Sequence, residues 1–535
     1  MTITHLALDF GTTNSVIAGW DENAQSTTIL AIPNLTDDTE TALHLIPSLV
    51  YVDDGASPQL TIGQSVRNAN LDQQNDNRLF RNFKRGIIAT STPPSRKIDG
   101  VQWNDHDAGR WFLSRTLESL PLDIAQIEQF VLTAPVAAFQ AYLHWLEKAL
   151  QNLASVLSDN IKIVDESTAA ALGYNITDSE ALVLVVDFGG GTLDLSLVQL
   201  PDSKEQTGGI LGRLIGTNPN QNRATVIAKA GRNLGGSDVD QWLLSDLLSR
   251  ENLTIDDLGN AYAEMLTRCE IAKITLSTHA ETDFHIELGQ KHIETTITRN
   301  DLNTLLHDNE FFTMLHRTID KVMHTARQQG IFREDIHSVL MVGGTSLMPA
   351  VQETLRTYFD NLPVKAHKPF TAVVEGALHV ARGFGVQDYL VHGYGIRHLD
   401  PISNTHQYDE IIPMGTPYPL DQPIEVLLGA AHHAQDMMEL VIGEINTDAV
   451  AMVEVQYQDG QAVFVAQGSQ TASDIVPLNT GDDVTILPLS PQGIPGEDRI
   501  KASLTINDRR ELKVTVTDLH TNQTVLRDGL ITTLR

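Results

Sequence analysis

The sequence predicts an α/β region built from two related lobes, followed by an all-β domain, and three observations lead there. Strand and helix patterns alternate from Ile3 to about Leu200, and again through SVLMVGGTSLMPAVQETL, which argues for an α/β architecture. A strand, Asp-Phe-Gly, strand pattern occurs twice, as LALDFGTTNSVIAG from residue 6 and as VVDFGGGTLDLSLV from residue 185; such a repeat predicts two related subdomains that each turn a hairpin towards a shared cleft. Near residue 385 the character changes to short alternating segments separated by Pro, Gly, Asp and Asn, the pattern of antiparallel strands. At 535 residues the chain exceeds one core. The boundaries predicted are 1–385 for the α/β region, 386–396 for a linker within FGVQDYLVHGYG, and 397–535 for the β domain.

The elements follow in order. After the first hairpin and the strand FVLTA, the positions Phe139, Leu143, Leu146, Leu150, Leu153 and Leu157 keep helical spacing. IKIVDE reads as a strand and STAAALGY as a helix start, with Ser167 or Thr168 near its N-terminus. The second hairpin comes next. Residues 238–330 read as mostly helical, through DVDQWLLSDLLSR, AYAEMLTRCEIAKITL and DLNTLLHDNEFFTMLHRTIDKVMHTARQQG. Beyond the linker, IEVLLGA, MMELVIGEI, AMVEVQYQ, AVFVAQG, KASLTIN and ELKVTVTDL read as strands.

The hairpins carry the chemistry. A tight turn accounts for one or two glycines, but not for Gly189, Gly190 and Gly191 together, flanked by Asp187 and Asp194. A turn without bulky side chains lets backbone N–H groups approach phosphate oxygens, and the hydroxyls of Thr12, Thr13 and Thr192 add donors. Asp9 and Asp187, at matched places, would hold a hydrated Mg²⁺, a hard cation that prefers carboxylates and phosphates.

Composition narrows the partners. Asp plus Glu total 68 against 37 Lys plus Arg, a net charge of −31, which repels nucleic acid and anionic membranes. The one cysteine, Cys269, excludes an internal disulfide and reads as a small buried apolar side chain. The histidines, His432-His433 included, form no metal-ligand pattern. MTITHLALDF lacks a basic n-region, and no later run reaches membrane-spanning length, so the expectation is a cytoplasmic protein without nucleic-acid or membrane partners.

Taken in order, LDFGTTNS, NFKRG, VDESTAAALGY, VVDFGGGTLDLS, NLGGSDVD, CEIAKITLS and VLMVGGTSLMP resemble the nucleotide-binding domain of the seventy-kilodalton heat-shock, or DnaK-like, chaperones. Actin and sugar kinases share only the two hairpins and the later Gly-Gly turn; the run from Glu166 to Ala171 and EIAKITLS narrow the likeness to the chaperones. The resemblance reaches the C-terminus, where KASLTINDRRELKVTVTDLHTNQTV is similar to the last strands of the family's β-sandwich substrate domain. It implies two actin-like (ribonuclease-H-like) lobes, ATP or ADP with Mg²⁺, K⁺ as a further candidate ion, and slow ATP hydrolysis. It also implies an unfolded or extended polypeptide client, a J-domain co-chaperone and a nucleotide exchange factor.

Position by position, the resemblance places Asp9 and Asp187 beside the hydrated Mg²⁺, and Gly11, Thr12, Thr13, Asn14, Gly189, Gly190, Gly191 and Thr192 along the phosphates. Lys84 matches the lysine that meets the γ-phosphate and the attacking water; Glu166 and Asp194 match carboxylates that, with Asp187, organise that water. Gly235, Gly236, Glu270, Lys273, Ser277, Gly343, Gly344 and Thr345 match positions around the adenosine and its phosphates. The spacing of Glu270, Lys273 and Ser277 sets them on one helix face. Taken singly, each has a plainer reading: Lys84-Arg85 as a solvated pair, Glu270 and Lys273 as a helical ion pair, Glu166 as a carboxylate at a helix N-terminus, Gly343-Gly344 as a turn.

The departures bear on coupling. Leu347 stands where many relatives stack an arginine on adenine, Phe370 where they carry an acidic residue, and Leu143 where an arginine serves communication between domains. The leucine-rich linker is reduced to DYLVHGYG, and the chain reaches Arg535 just past its last strand, so the resemblance leads to a lidless member. Hydrolysis is expected to survive these changes, and coupling to peptide release to weaken. The rival readings are an ATP-gated binder of one dedicated partner, a small-molecule kinase of the same superfamily, and an actin-like filament protein.

Overall fold

The structure is a computed structural model. It describes residues 2–37, 43–74, 76–89, 95–135, 139–150, 161–176, 178, 180–201, 223–288, 291–360, 362–390, 392–400, 405–445, 453–458, 461–466, 475–481, 484–507 and 509–534. The chain divides into two compact units, Met1–Val386 and Gln387–Arg535.

The first unit holds two sheets of one topology. In the first, the strands run in the order Ile161–Asp165, Gln129–Ala134, Ile3–Asp9, Asn14–Asp21, Ser26–Ile29. The first three are mutually parallel, and the last two return antiparallel through the hairpin at Asp9. The second sheet repeats this with Val364–Lys365, Ser338–Val342, Leu182–Phe188, Leu193–Gln199 and Arg223–Arg232, parallel and antiparallel at the same places. Central strands such as LVLVVDF are apolar at nearly every position because helices cover both faces.

Each lobe has its own core. In the first, Phe10, Phe83, Phe112, Tyr142 and Trp145 pack with Leu6 and Leu8; in the second, Leu184, Phe188 and Phe311 pack with the helices of residues 236–328. A third cluster lies between the two sheets, built from Ala7, Val131, Val183 and Leu340 and two short helices, Glu166–Gly173 and Ala372–Ala381. These helices cross at two glycines. A Cβ on Gly173 would collide with the Ala372 carbonyl, and one on Gly376 with the Ala169 carbonyl. Small residues there let two backbones meet where a larger side chain would separate the lobes.

Several local expectations are refined. Ser167 and Thr168 lie in the first turn of the helix Glu166–Gly173, as expected, and its cap is Asp165, whose carboxylate accepts from the Thr168 N–H at 2.7 Å. Within the mostly helical region, Glu281–Leu288 and Lys291–Thr298 form an antiparallel hairpin. Its apolar residues Phe284, Ile286, Ile293 and Ile297 alternate and are buried, a period of two set among periods of 3.6. The helix expected from Phe139 is described as Phe139–Leu150; Leu153, Leu157 and the side chain of Leu143 fall outside the described residues.

The second unit is antiparallel throughout its main sheets. One four-stranded sheet orders Thr405–Ile412, Gly393–Asp400, Ile442–Ile445, Ile475–Pro477; another orders Ile424–Gly429, Asp498–Ile506, Glu511–Asp518, Gln523–Thr533. Their inward residues share one apolar cluster, including Ile396, Ile442, Leu504 and Val516. The segment expected as a linker is largely extended and paired: Gly385–Tyr389 and Gly393–Asp400 are strands. Among the described residues no helix is long and apolar enough to cross a membrane.

Candidate functional site

The repeated topology brings the two Asp-bearing hairpins together. Both line a cavity of about 350 Å³ in the first unit, with Asp9, Gly11, Thr12, Thr13 and Asn14 from one hairpin and Asp187, Gly189, Gly190 and Thr192 from the other. Gly190 fits directly against the Thr13 side chain, and a Cβ on Gly191 would lie 2.6 Å from Thr12 Oγ1, so the hairpin tips pack backbone against hydroxyl. Gly191 itself does not line the cavity.

Two other turns brace the second hairpin. The helix Gly236–Arg250 docks its first turn on it, Gly236 N–H donating to the Gly189 carbonyl at 3.1 Å and Ser237 N–H to the Gly190 carbonyl at 2.9 Å. Gly235 backs onto Gly190 outside the cavity wall, whereas Gly236 lines it. Gly343, at φ +79°, sits against the Phe188 carbonyl where a Cβ would collide. Thr345 Oγ1 donates to the Gly189 carbonyl at 2.7 Å, and Gly343, Gly344 and Thr345 all reach the cavity.

A charged centre lies between the hairpins. Lys84, 3% exposed, donates to Glu166 Oε1 at 2.6 Å, which removes the reading of Lys84-Arg85 as a solvated pair. Its ammonium stands 5.7 Å from the Phe10 ring centroid and 5.5 Å from that of Tyr142, aromatic faces that favour a cation. Neighbouring Arg85 grips Asp238 through both terminal nitrogens, at 3.0 and 2.9 Å. Asp9 accepts from Thr133 Oγ1 at 2.9 Å; burial and then the Glu166 charge push its pKa up to about 7, against the lowering pull of Lys84 and Thr133. Asp187 is raised well above the usual carboxylate range, by burial first and then by Glu166, Asp9 and Asp194. Asp194 pairs in register with Asp187 across the hairpin, fully buried and behind the cavity wall.

Such a cluster suits a cation. Asp9, Glu166, Asp187 and Asp194 oppose one ammonium, and a divalent ion would hold the raised carboxylates in their charged form. Among the described residues no three acidic, histidine or cysteine side chains are placed to chelate one ion directly. The residues therefore fit an ion that keeps most of its water and takes further ligands from phosphate, as Mg²⁺ does.

The rest of the cavity wall mixes apolar side chains with polar and charged ones. The helix Tyr262–Thr278 brings Glu270, Lys273, Ile274, Ser277 and Thr278 to it, and the opposite turns bring Leu347, Met348, Pro369 and Phe370. Lys273 does not pair along its own helix; it reaches Asp240 at 2.7 Å and the Gly236 carbonyl at 2.9 Å, pinning the helix to the glycine turn. Glu270 approaches Arg67 at 4.0 Å.

The model of the Hsp70 protein family matches residues 156–392. The chaperone protein DnaK of Thermosipho melanesiensis is 28% identical over 388 residues, 70% of this chain and 58% of that protein. DnaK of Thermotoga neapolitana is 28% identical over 389 residues with the same shares, and DnaK of Thermotoga maritima is 27% identical. The chain is thus similar to the Hsp70 family over residues 156–392 and to these DnaK chaperones over 70% of its length. The match spans 58% of the length of each of these relatives.

Sequence reasoning missed part of the cavity wall. Thr133, Tyr142 and Asp240 support Asp9, Lys84 and Lys273, yet nothing in their local spacing marks them. Ile274, Thr278, Met348, Pro369 and Val373 line the cavity without any local polar signal. Phe370 stood out only as a departure from the family's pattern.

Proposed function

We propose that this chain is an ATP-binding chaperone of the Hsp70 family that slowly hydrolyses ATP with Mg²⁺ between two actin-like lobes and binds extended polypeptide through a sandwich-like β domain, 397–535. The observation that carries the reading is the convergence of two glycine hairpins on one cavity with four carboxylates and a buried Lys84–Glu166 pair. An anion of several charges fits the hairpins, since backbone N–H groups and Thr12, Thr13 and Thr192 hydroxyls donate there.

Phosphoryl transfer to water needs positioning and charge neutralisation more than covalent chemistry. Bound Mg²⁺ would neutralise phosphate oxygens and orient the terminal phosphoryl group. Asp9 and Asp187 would hold its water shell. Lys84, fixed by Glu166 and two aromatic rings, would keep its ammonium near the terminal phosphate without swinging into solvent. Glu166 and Asp187 would accept hydrogen bonds from the attacking water and orient it, with the Asp194 charge acting from behind the wall. J-domain co-chaperones and an exchange factor are partners that this reading implies.

A single-turnover assay with γ-labelled ATP tests the chemistry. Label should pass to water, require Mg²⁺, and remain unchanged when metabolites are added. Transfer to a small molecule would replace the chaperone reading with a kinase, and ATP-dependent sedimentation would replace it with a filament protein. Anisotropy of a labelled unfolded polypeptide tests client binding, and a flat titration would remove that half of the proposal.

A further inference from the structure

The helix Phe139–Leu150 sets a tyrosine beside the charged centre. Tyr142 is fully buried, and its ring centroid lies 5.5 Å from the Lys84 ammonium. The ring packs on Phe10 at 6.3 Å and on Trp145 at 5.6 Å, and Trp145 Nε1–H donates to the His106 carbonyl at 3.1 Å. Packing thus accounts for the apolar body of the side chain. It does not account for the hydroxyl, which is shut away from water and finds no hydrogen-bond partner among the described residues. A phenylalanine would fill the same space without an orphaned polar atom, a destabilising feature that calls for a reason beyond packing. Burial first, then the charges of Glu166 and Asp9, push the phenol pKa well up, so the oxygen keeps its proton and is a donor at neutral pH.

We infer that the Tyr142 hydroxyl is a positioning donor for Glu166, supplying the hydrogen bond that this carboxylate loses when a bound phosphate draws on the Lys84 ammonium. The inference rests on the ATPase reading proposed above and adds a residue which that reading leaves without a role. Tyr142 and Glu166 flank the same Nζ, the carboxylate at 2.6 Å and the ring at 5.5 Å from its centroid. A terminal phosphate competes for that ammonium. Glu166 then loses counter-charge at the step in which it must stay ionised and face the attacking water. A hydrogen bond from the phenol to the carboxylate is charge-assisted, and a neutral donor adds no second cation to compete for phosphate.

Hydrolysis of γ-labelled ATP by the full chain, with ADP calorimetry and thermal melts, tests this. Tyr142→Phe removes the oxygen alone. It should melt no lower than wild type, bind Mg²⁺-ADP equally well and keep the KM for ATP. Its kcat should nevertheless fall roughly 10–100-fold, the effect of losing one hydrogen bond to a charged group. In a Glu166→Gln background Tyr142→Phe should have little further effect, because residues that act through one another are not additive. Wild-type kcat in Tyr142→Phe, or losses that multiply in the double variant, would overturn the role. So would a lowered melting temperature with a matching loss of ADP affinity, which marks a packing residue. A wild-type protein that binds Mg²⁺-ADP but releases no label from ATP would instead overturn the hydrolysis reading itself.

Discussion

The Lys84 ammonium and the Glu166 carboxylate meet at 2.6 Å in a buried pair although 82 positions separate them in the chain. Removing one partner strands the other charge away from water, which costs about 3–5 kcal/mol in buried pairs. Lys84→Ala should therefore lower the melting temperature clearly. Lys84→Ala with Glu166→Gln should recover much of that loss. Both should slow single-turnover hydrolysis by about 10²–10³-fold while sparing ADP binding. Wild-type hydrolysis by Lys84→Ala would end the role assigned to this lysine.

Asp9 and Asp187 end up on one cavity from two separate hairpins. Asp9→Asn and Asp187→Asn each remove a carboxylate from the ion's surroundings, so Mg²⁺-dependent nucleotide binding should weaken. Because burial disfavours the charge, both variants should also be at least as stable as wild type without Mg²⁺. Thermal melts with EDTA and with Mg²⁺ distinguish the two effects; a variant that Mg²⁺-ADP stabilises as much as wild type would contradict the placement of the ion.

The pKa of Asp9 near 7 gives a pH dependence with a definite sign. An unfolded aspartate titrates near 3.8, so the native state alone holds the extra proton between that value and about 7. This contribution to stability is fully present below the lower value and is lost as pH rises through about 7. Metal-free protein should thus lose stability across that window. Mg²⁺-ADP binding near neutral pH should release protons, read as a dependence of the calorimetric heat on buffer ionisation enthalpy. Heat independent of the buffer would mean that Asp9 is already ionised.

Gly376 faces the Ala169 carbonyl, and Gly173 the Ala372 carbonyl, where the two helices cross. Neither position has room for a methyl group. Gly376→Ala should destabilise the first unit by about 1–3 kcal/mol and weaken nucleotide binding, since the crossing helices hold the lobes that carry the hairpins. An alanine variant with the wild-type melting temperature would show that the backbone separates at little cost.

Leu347 lines the cavity beside Met348 and Phe370. Leu347→Arg would add a guanidinium that can stack on a base, worth roughly 0.5–2 kcal/mol. Calorimetry should show tighter ATP binding and sharper preference over GTP. Unchanged affinity would mean that the base is fully covered by its present neighbours.

Much of this protein was determined by the sequence alone. The two strand–Asp-Phe-Gly hairpins, the glycine turns at Gly189 and Gly343, and the change to short alternating strands after residue 385 follow from local periodicity and local backbone need. Those signals lie within a dozen residues of chain, so they are legible without a fold. The paired strands Glu281–Leu288 and Lys291–Thr298 were missed, because their alternation is set among helical repeats. Only the tertiary structure decided which side chains meet. Thr133 reaches Asp9 because their strands run parallel side by side; Tyr142 lies under Lys84 because its helix packs on the Phe10 core; Lys273 chooses Asp240 over its own helix because another helix begins at the glycine turn. The raised pKa values of Asp9 and Asp187 likewise exist only once burial removes water and gathers like charges from distant segments. Contacts between remote residues are set by the packing of whole elements, and no local pattern encodes them.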